Sequence, residues 1–180
     1  MRRYYLMILF AFVSVFAFSE SKDTQMINGK DWAYLIAIPN DLKLDNRTLA
    51  RSGISGLFYR VDQKDFDDNG LYISINPIGK GNGLPEDLES LIKWSNDSLL
   101  TNDNSVKISF MINMELGDIS SCSIYKVDSE KTGKYSYFGY AADHKVFFVF
   151  VLNAMSKDER LAYENDYFKL MESFVFIDKE

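Results

Sequence analysis

From Val146 to Leu152 every position is apolar. A strand so patterned belongs in the middle of a sheet with layers on both of its faces. Other segments alternate instead. Val106, Ile108, Phe110, Ile112 and Met114 interleave with Lys107, Ser109, Met111, Asn113 and Glu115, which predicts a strand with one covered and one wet face. Trp32, Tyr34, Ile36 and Ile38 alternate with Ala33, Leu35 and Ala37 in a strand over residues 31–38, stopped by Pro39. Residues 57–61 and 71–75 face each other across an acidic loop, where Asn69-Gly70 supplies the positive-φ chemistry of a hairpin. Residues 120–128 and 135–142 add two strands around the turn Lys131-Thr132-Gly133-Lys134, and Asp143-His144-Lys145 turns the chain into 146–152.

Two segments carry helical spacing. Pro85 suits the first helical position, and Glu86 and Asp87 favour the positive end of the helix dipole. Leu88, Leu91, Ile92, Ser95 and Leu99 then form one buried stripe, ending near Leu100 at Thr101-Asn102-Asp103-Asn104. The second helix, over residues 157–173, aligns Leu161, Phe168, Met171 and Val175, with Tyr163, Tyr167, Leu170 and Phe174 beside them. Residues 40–56 read as a polar connection and 77–83 as a Gly-rich one. This order of elements predicts an α+β fold, a three-layer helix–sheet–helix sandwich around a mostly antiparallel meander of about 6–7 strands.

The N-terminus changes the picture. Arg2 and Arg3 precede an apolar run over residues 6–18, and Ala17 and Ser19 stand at the −3 and −1 positions of a small-residue cleavage site before Glu20. That is the layout of a secretory signal peptide over residues 1–19. The alternative is a retained anchor, but the run over residues 4–18 is shorter than the roughly 20 apolar residues of a spanning helix. The only cysteine, Cys122, lies far from any lipid-attachment position, so a lipoprotein is not expected. The division expected is therefore 1–19 signal peptide, 20–30 flexible tail and 31–180 one domain, released to the periplasm or the outside. Without Arg2 and Arg3 the chain carries 18 Lys+Arg against 26 Asp+Glu, a formal charge of −8, which disfavours nucleic acid and anionic lipid as partners. One cysteine leaves no internal disulfide, so stability rests on packing, and Cys122 reads as a small buried hydrophobe.

The pattern resembles the PsbP-like domain, the fold of the photosystem accessory protein, the yeast Ran-binding nuclear-transport factor and bacterial exported proteins. The similarity is carried by Trp32-Ala33-Tyr34-Leu35-Ile36-Ala37-Ile38-Pro39, Gly70-Leu71-Tyr72-Ile73-Ser74-Ile75, Leu88-Glu89-Ser90-Leu91-Ile92, the Asp143-His144-Lys145 hairpin and Met171-Glu172-Ser173-Phe174-Val175-Phe176, over residues 31–177. It implies an antiparallel sheet between helices and a role in binding a protein or peptide rather than in catalysis. No residue of the chain matches a family binding surface, so the partner does not transfer.

Candidate chemistry is sparse. Asp65, Asp67 and Asn69, followed by Gly70, match the first half of a calcium loop, with Asp62 as a further donor. Position 12 of such a loop is Asn76, where a bidentate Glu is needed, and the residues after Gly70 read as a strand. The other reading is an acidic hairpin tip, without any cofactor. Gly79-Lys80-Gly81-Asn82-Gly83 sits where phosphate loops sit, but it fits no phosphate-loop spacing, and Glu86 and Asp87 would repel an anion. His144 is the only histidine, which rules out a multi-histidine metal cluster; a hydrolase would use His144 or surface carboxylates. Carboxylates crowd at Glu86, Asp87 and Glu89 and at Glu159, Glu164 and Asp166, on helix faces expected to be solvated. Tyr135, Tyr137, Phe138 and Tyr140 suit either a stacking surface or the core. The alternatives to a binding domain are thus an exported hydrolase and a calcium-dependent interaction module.

Calorimetry of the mature protein separates the two readings of the Asp65 loop. An acidic tip gives no heat above buffer at millimolar calcium, whereas a calcium site gives heat that Asp65→Ala/Asp67→Ala abolishes.

Overall fold

The computed structural model describes residues 24–29, 32–45, 56–66, 70–81, 83, 85–117 and 119–178. The segment read as a signal peptide lies outside them. Seven strands form one fully antiparallel sheet: β3 (Leu42–Leu44), β4 (Gly56–Arg60), β5 (Tyr72–Gly79), β9 (Val146–Ala154), β8 (Lys134–Ala142), β7 (Ile119–Ser129) and β6 (Lys107–Leu116), in that spatial order. A second, three-stranded antiparallel sheet sets β2 (Trp32–Ala37) between β1 (Thr24–Asn28) and β10 (Val175–Asp178). Two helices are described, α1 (Leu88–Asn102) and α2 (Lys157–Glu172).

The doubly apolar segment is β9, and it sits between β5 and β8 with both faces covered. Phe148, Phe150 and Leu152 face α2 and the small sheet, in a core shared with Tyr34, Ile36, Tyr167, Leu170, Met171 and Phe174. Phe147 and Val149 face the other way, in a smaller cluster with Leu91, Leu88, Ile92 and Tyr140 beneath α1. The layers are therefore helix, sheet, then helix with a small sheet beside it. The large sheet is two meanders, β3-β4-β5 and β6-β7-β8-β9, joined because β5 pairs with β9. The chain passes from β5 to the far edge through α1, which lies across the sheet.

Several expectations need correcting. Residues 20–30 are not a tail throughout: Thr24–Asn28 pairs with β2 from Thr24↔Ala37 to Asn28↔Ala33 and buries Ile27. The connection over residues 40–56 contains β3, paired from Leu42↔Arg60 to Leu44↔Phe58; residues 46–55 are outside the described set. β5 continues through Pro77 to Gly79. Among the described residues β4 reaches no further along β5 than Ile75, so β5 there pairs with β9 alone, where a residue without an N–H is tolerated. α1 begins at Leu88 rather than Pro85, since Asp87 is the N-cap and accepts from Ser90 N at 2.7 Å. α2 begins at a capping pair, with Ser156 Oγ accepting from Glu159 N at 3.0 Å and Glu159 reaching back to Met155 N at 2.8 Å. It buries Tyr167, Leu170 and Met171 but exposes Leu161, and Val175 belongs to β10. Ser173 closes α2 by donating to Leu170 O at 2.7 Å and accepting from Ala37 N at 2.9 Å, which ties the helix end to β2.

β6 departs furthest from expectation. Its register with β7 slips between Phe110 and Ile112: Phe110 lies opposite Tyr125 and Ile112 opposite Ile124. Tyr125 packs on the α1 side, whereas Ile124 belongs to the core under α2. The extra residue, Met111, thus sends Phe110 and Ile112 to opposite faces. The expected single covered face does not exist, and Phe110, Met111 and Ile112 are 55%, 39% and 48% exposed at the outer edge of the sheet.

Two predictions follow from the packing. A Cβ at Gly139 would lie 2.9 Å from both Met171 Cε and Tyr167 OH and 3.1 Å from Cys122 Sγ. The Tyr167 hydroxyl is held by its bond to Phe150 O at 3.0 Å. Gly139→Ala is therefore expected to destabilise by about 1–3 kcal/mol in urea unfolding, whereas Gly79→Ala, with open space around its Cβ, stays within about 0.5 kcal/mol. Asp103, just past α1, accepts from the Ser129 hydroxyl and from Ser105 N and Oγ at 2.9 and 2.7 Å. The Ser129 hydroxyl, then the Ser105 groups, hold its carboxyl below the usual carboxylate range. Its stabilisation is complete above the ordinary Asp pKa of about 4 and is lost as pH falls through the lower folded value. Urea midpoints measured from about pH 5 to about pH 2.5 should fall less steeply for Asp103→Asn than for wild type.

Candidate functional site

Of the acidic loop the structure describes residues 61–66 and Gly70. Arg60 binds the Asp62 carboxylate through Nε at 2.9 Å and through Nη2, which holds that carboxyl below its ordinary range and commits it to an ion pair. Phe66 turns inward, 6.3 Å from the Tyr59 ring and 5.4 Å from Tyr72, and so fastens the loop to the cross-strand pair Tyr59↔Tyr72. Asp65 beside it is exposed, while Asp67 and Asn69 lie outside the described residues. At the far end of the loop Asn153 Nδ2 donates to Gly70 O at 3.1 Å. Among the described residues no group of three or more His, Cys, Asp or Glu side chains is arranged to hold a metal ion.

His144 stands 62% exposed at the β8–β9 hairpin tip. Nδ1 is 2.6 Å from Asp143 and Nε2 3.4 Å from Asp178, so each ring nitrogen faces a carboxylate. Lys145 joins the same Asp178 at 2.9 Å. These contacts tie the hairpin to β10. The Gly79 to Gly83 segment fares no better as an anion site, because the Asp87 carboxylate already fills the N-terminus of α1. Lys80 instead lies 4.8 Å over the Phe147 ring.

The aromatic run belongs to the interior. Tyr137 and Tyr140 are buried and Phe138 packs partly under α1. Burial pushes both hydroxyls up to about 12, with the Glu164 carboxylate adding to the effect at Tyr137. Burial likewise pushes the Cys122 thiol up to about 12, leaving it inert as a nucleophile.

Sequence reasoning missed Arg160. It sits on α2 among stripe residues, 2% exposed, paired with Asp128 of β7 and 4.9 Å over the Tyr137 ring. Tyr137 in turn donates to Glu164 one turn along the helix. The only signal was an Arg spaced three and seven residues before Tyr163 and Tyr167 on the buried side. This cluster joins α2 to β7 and β8.

A cleft of about 440 Å³ opens between β1, the turn after β2 and β3, lined by Ile38, Pro39, Leu42, Lys43 and Val61 among others. Lys43 is its one ionisable lining residue among those described. That side chain is spent on Val61 O at 3.3 Å, on Gln63 O and on the Tyr59 ring at 4.8 Å. The cleft therefore lacks the convergent polar groups of a catalytic centre. Among the described residues an exposed apolar stretch lies at the β6 edge. Phe110 leans on Tyr125 with ring centroids 5.6 Å apart, Ile112 lies on the opposite face, and with Met111 between them both stand exposed along an edge that no described strand covers. Exposed apolar side chains gathered along one edge make a candidate interaction site.

Breaking the buried pair tests its weight. Arg160→Met leaves the largely buried Asp128 with the longer contact to Lys126 at 3.9 Å in place of its close partner and should cost about 3 kcal/mol in chemical denaturation, and adding Asp128→Asn should recover a substantial part of that loss.

No family model matches the chain, and no curated protein matches its sequence. Among solved structures it is similar to cyanobacterial PsbP (CyanoP) from Synechocystis sp. PCC 6803, with a TM-score of 0.51 and 12% identity over 87% of this chain and 94% of that one. It is also similar to LpqN of Mycobacterium tuberculosis, described as involved in cell envelope biogenesis, with a TM-score of 0.55 and 14% identity over 85% of this chain and 90% of that one. These identities speak to the fold alone, and on that point the sequence resemblance and the structural likeness agree: the chain has the PsbP-like fold.

Proposed function

We propose that this chain is an exported accessory domain, without catalysis of its own, that binds a protein or peptide partner through side chains on the outer edge of β6. The observation that carries the reading is the triad Phe110, Met111 and Ile112, three consecutive apolar residues exposed at 55%, 39% and 48% on a strand whose outer edge no described strand pairs. Burying such side chains against a partner is favourable, and leaving them in water is a cost that a purely structural edge strand would avoid. Register slips after Phe110 and after Met114 interrupt the edge. Bulged edges resist continuous strand addition, so the partner meets side chains rather than extending the sheet.

Export rests on the three-part pattern of residues 1–19. The fold likeness to LpqN, a protein described as involved in envelope biogenesis, supports an envelope setting. No helix among the described residues is long and apolar enough to cross a membrane. The acidic balance of the mature chain favours a partner that is not a polyanion.

The test uses the mature domain with a photo-crosslinking residue at position 111, presented to an envelope fraction, beside Phe110→Ser/Met111→Ser/Ile112→Ser. The crosslinked partner should bind the triple variant at least about tenfold more weakly, a loss of roughly 1.4 kcal/mol or more. The variant's urea midpoint should stay near that of wild type, because exposed substitutions cost little. Equal affinity of wild type and variant, or hydrolysis of a generic substrate panel that disappears in His144→Ala, would overturn the proposal.

A further inference from the structure

We draw no further inference here: the strongest candidate, the exposed apolar stretch Phe110, Met111 and Ile112 on the outer edge of β6, belongs to the site already described, and nothing in the structure shows what covers it, since the slip at Met111 that sends Phe110 and Ile112 to opposite faces removes the strand's self-complementary register as an argument for a second copy.

Discussion

The architecture depends on one strand that has no wet face. β9 carries Phe148, Phe150 and Leu152 on one side and Phe147, Val149 and Val151 on the other. Each such side chain left in water would forfeit roughly 1.5–3 kcal/mol. A one-sided sheet would therefore leave three of them unpaid for, and so would an edge position. The strand must lie in the interior of a sheet that is covered twice. Most of the topology follows. β5 and β8 flank it, α2 and the small sheet take one face, and α1 takes the other. With β5 already beside β9, the chain after β5 must cross the sheet to begin its second meander, and α1 is the element that crosses.

Features of this kind were legible because they are local. The all-apolar run, the stripe around Leu91 and the β4–β5 hairpin are each written in neighbouring residues. What escaped was non-local or carried little apolar signal. β1 reads Thr-Gln-Met-Ile-Asn and buries only Ile27, so its strand state comes from pairing with β2. β3 is three residues long. Val175 continues the helical register of α2, but β2 offers backbone partners from Leu35 to Trp32, and the chain leaves the helix to take them. Arg160 was overlooked because a charged residue in an apolar stripe looks like an interruption. Here its guanidinium is neutralised by Asp128 and lies over an aromatic ring, so the stripe continues through it.

The candidate site was legible only as residues and not as exposure. Alternation in residues 106–115 was real, yet its meaning depended on a bulge that no hydrophobic pattern displays. A bulge is defined by the partner strand, here by Tyr125 and Ile124 standing opposite Phe110 and Ile112. One extra residue turned an apparent core face into an apolar edge. The same arithmetic that makes a one-residue slip costly in a buried strand makes it informative in an exposed one.

The buried polar groups are not spread evenly, and their placement bears on how the edge could work. Asp103 with Ser129, Arg160 with Asp128, Ser136 with Asn153, and Asn153 with Gly70 O all lie at the end of the sheet where β7 turns into β8. Each joins a different pair of elements there, and buried polar contacts of this kind help to fix register. β6 is tied to the same end, through Val106 N to Asp103 O at 3.2 Å and the Lys107–Glu130 ion pair at 3.0 Å. Its apolar middle lies beyond those ties, where Phe110 leans on Tyr125 and the strand pairs with β7. The register of the sheet is therefore set without the exposed triad, and a partner could bury Phe110, Met111 and Ile112 without disturbing any group the fold relies on. An edge that were itself part of the locked end could not be covered and uncovered so cheaply, which is the physical reason to place binding on β6 and not on the polar clusters.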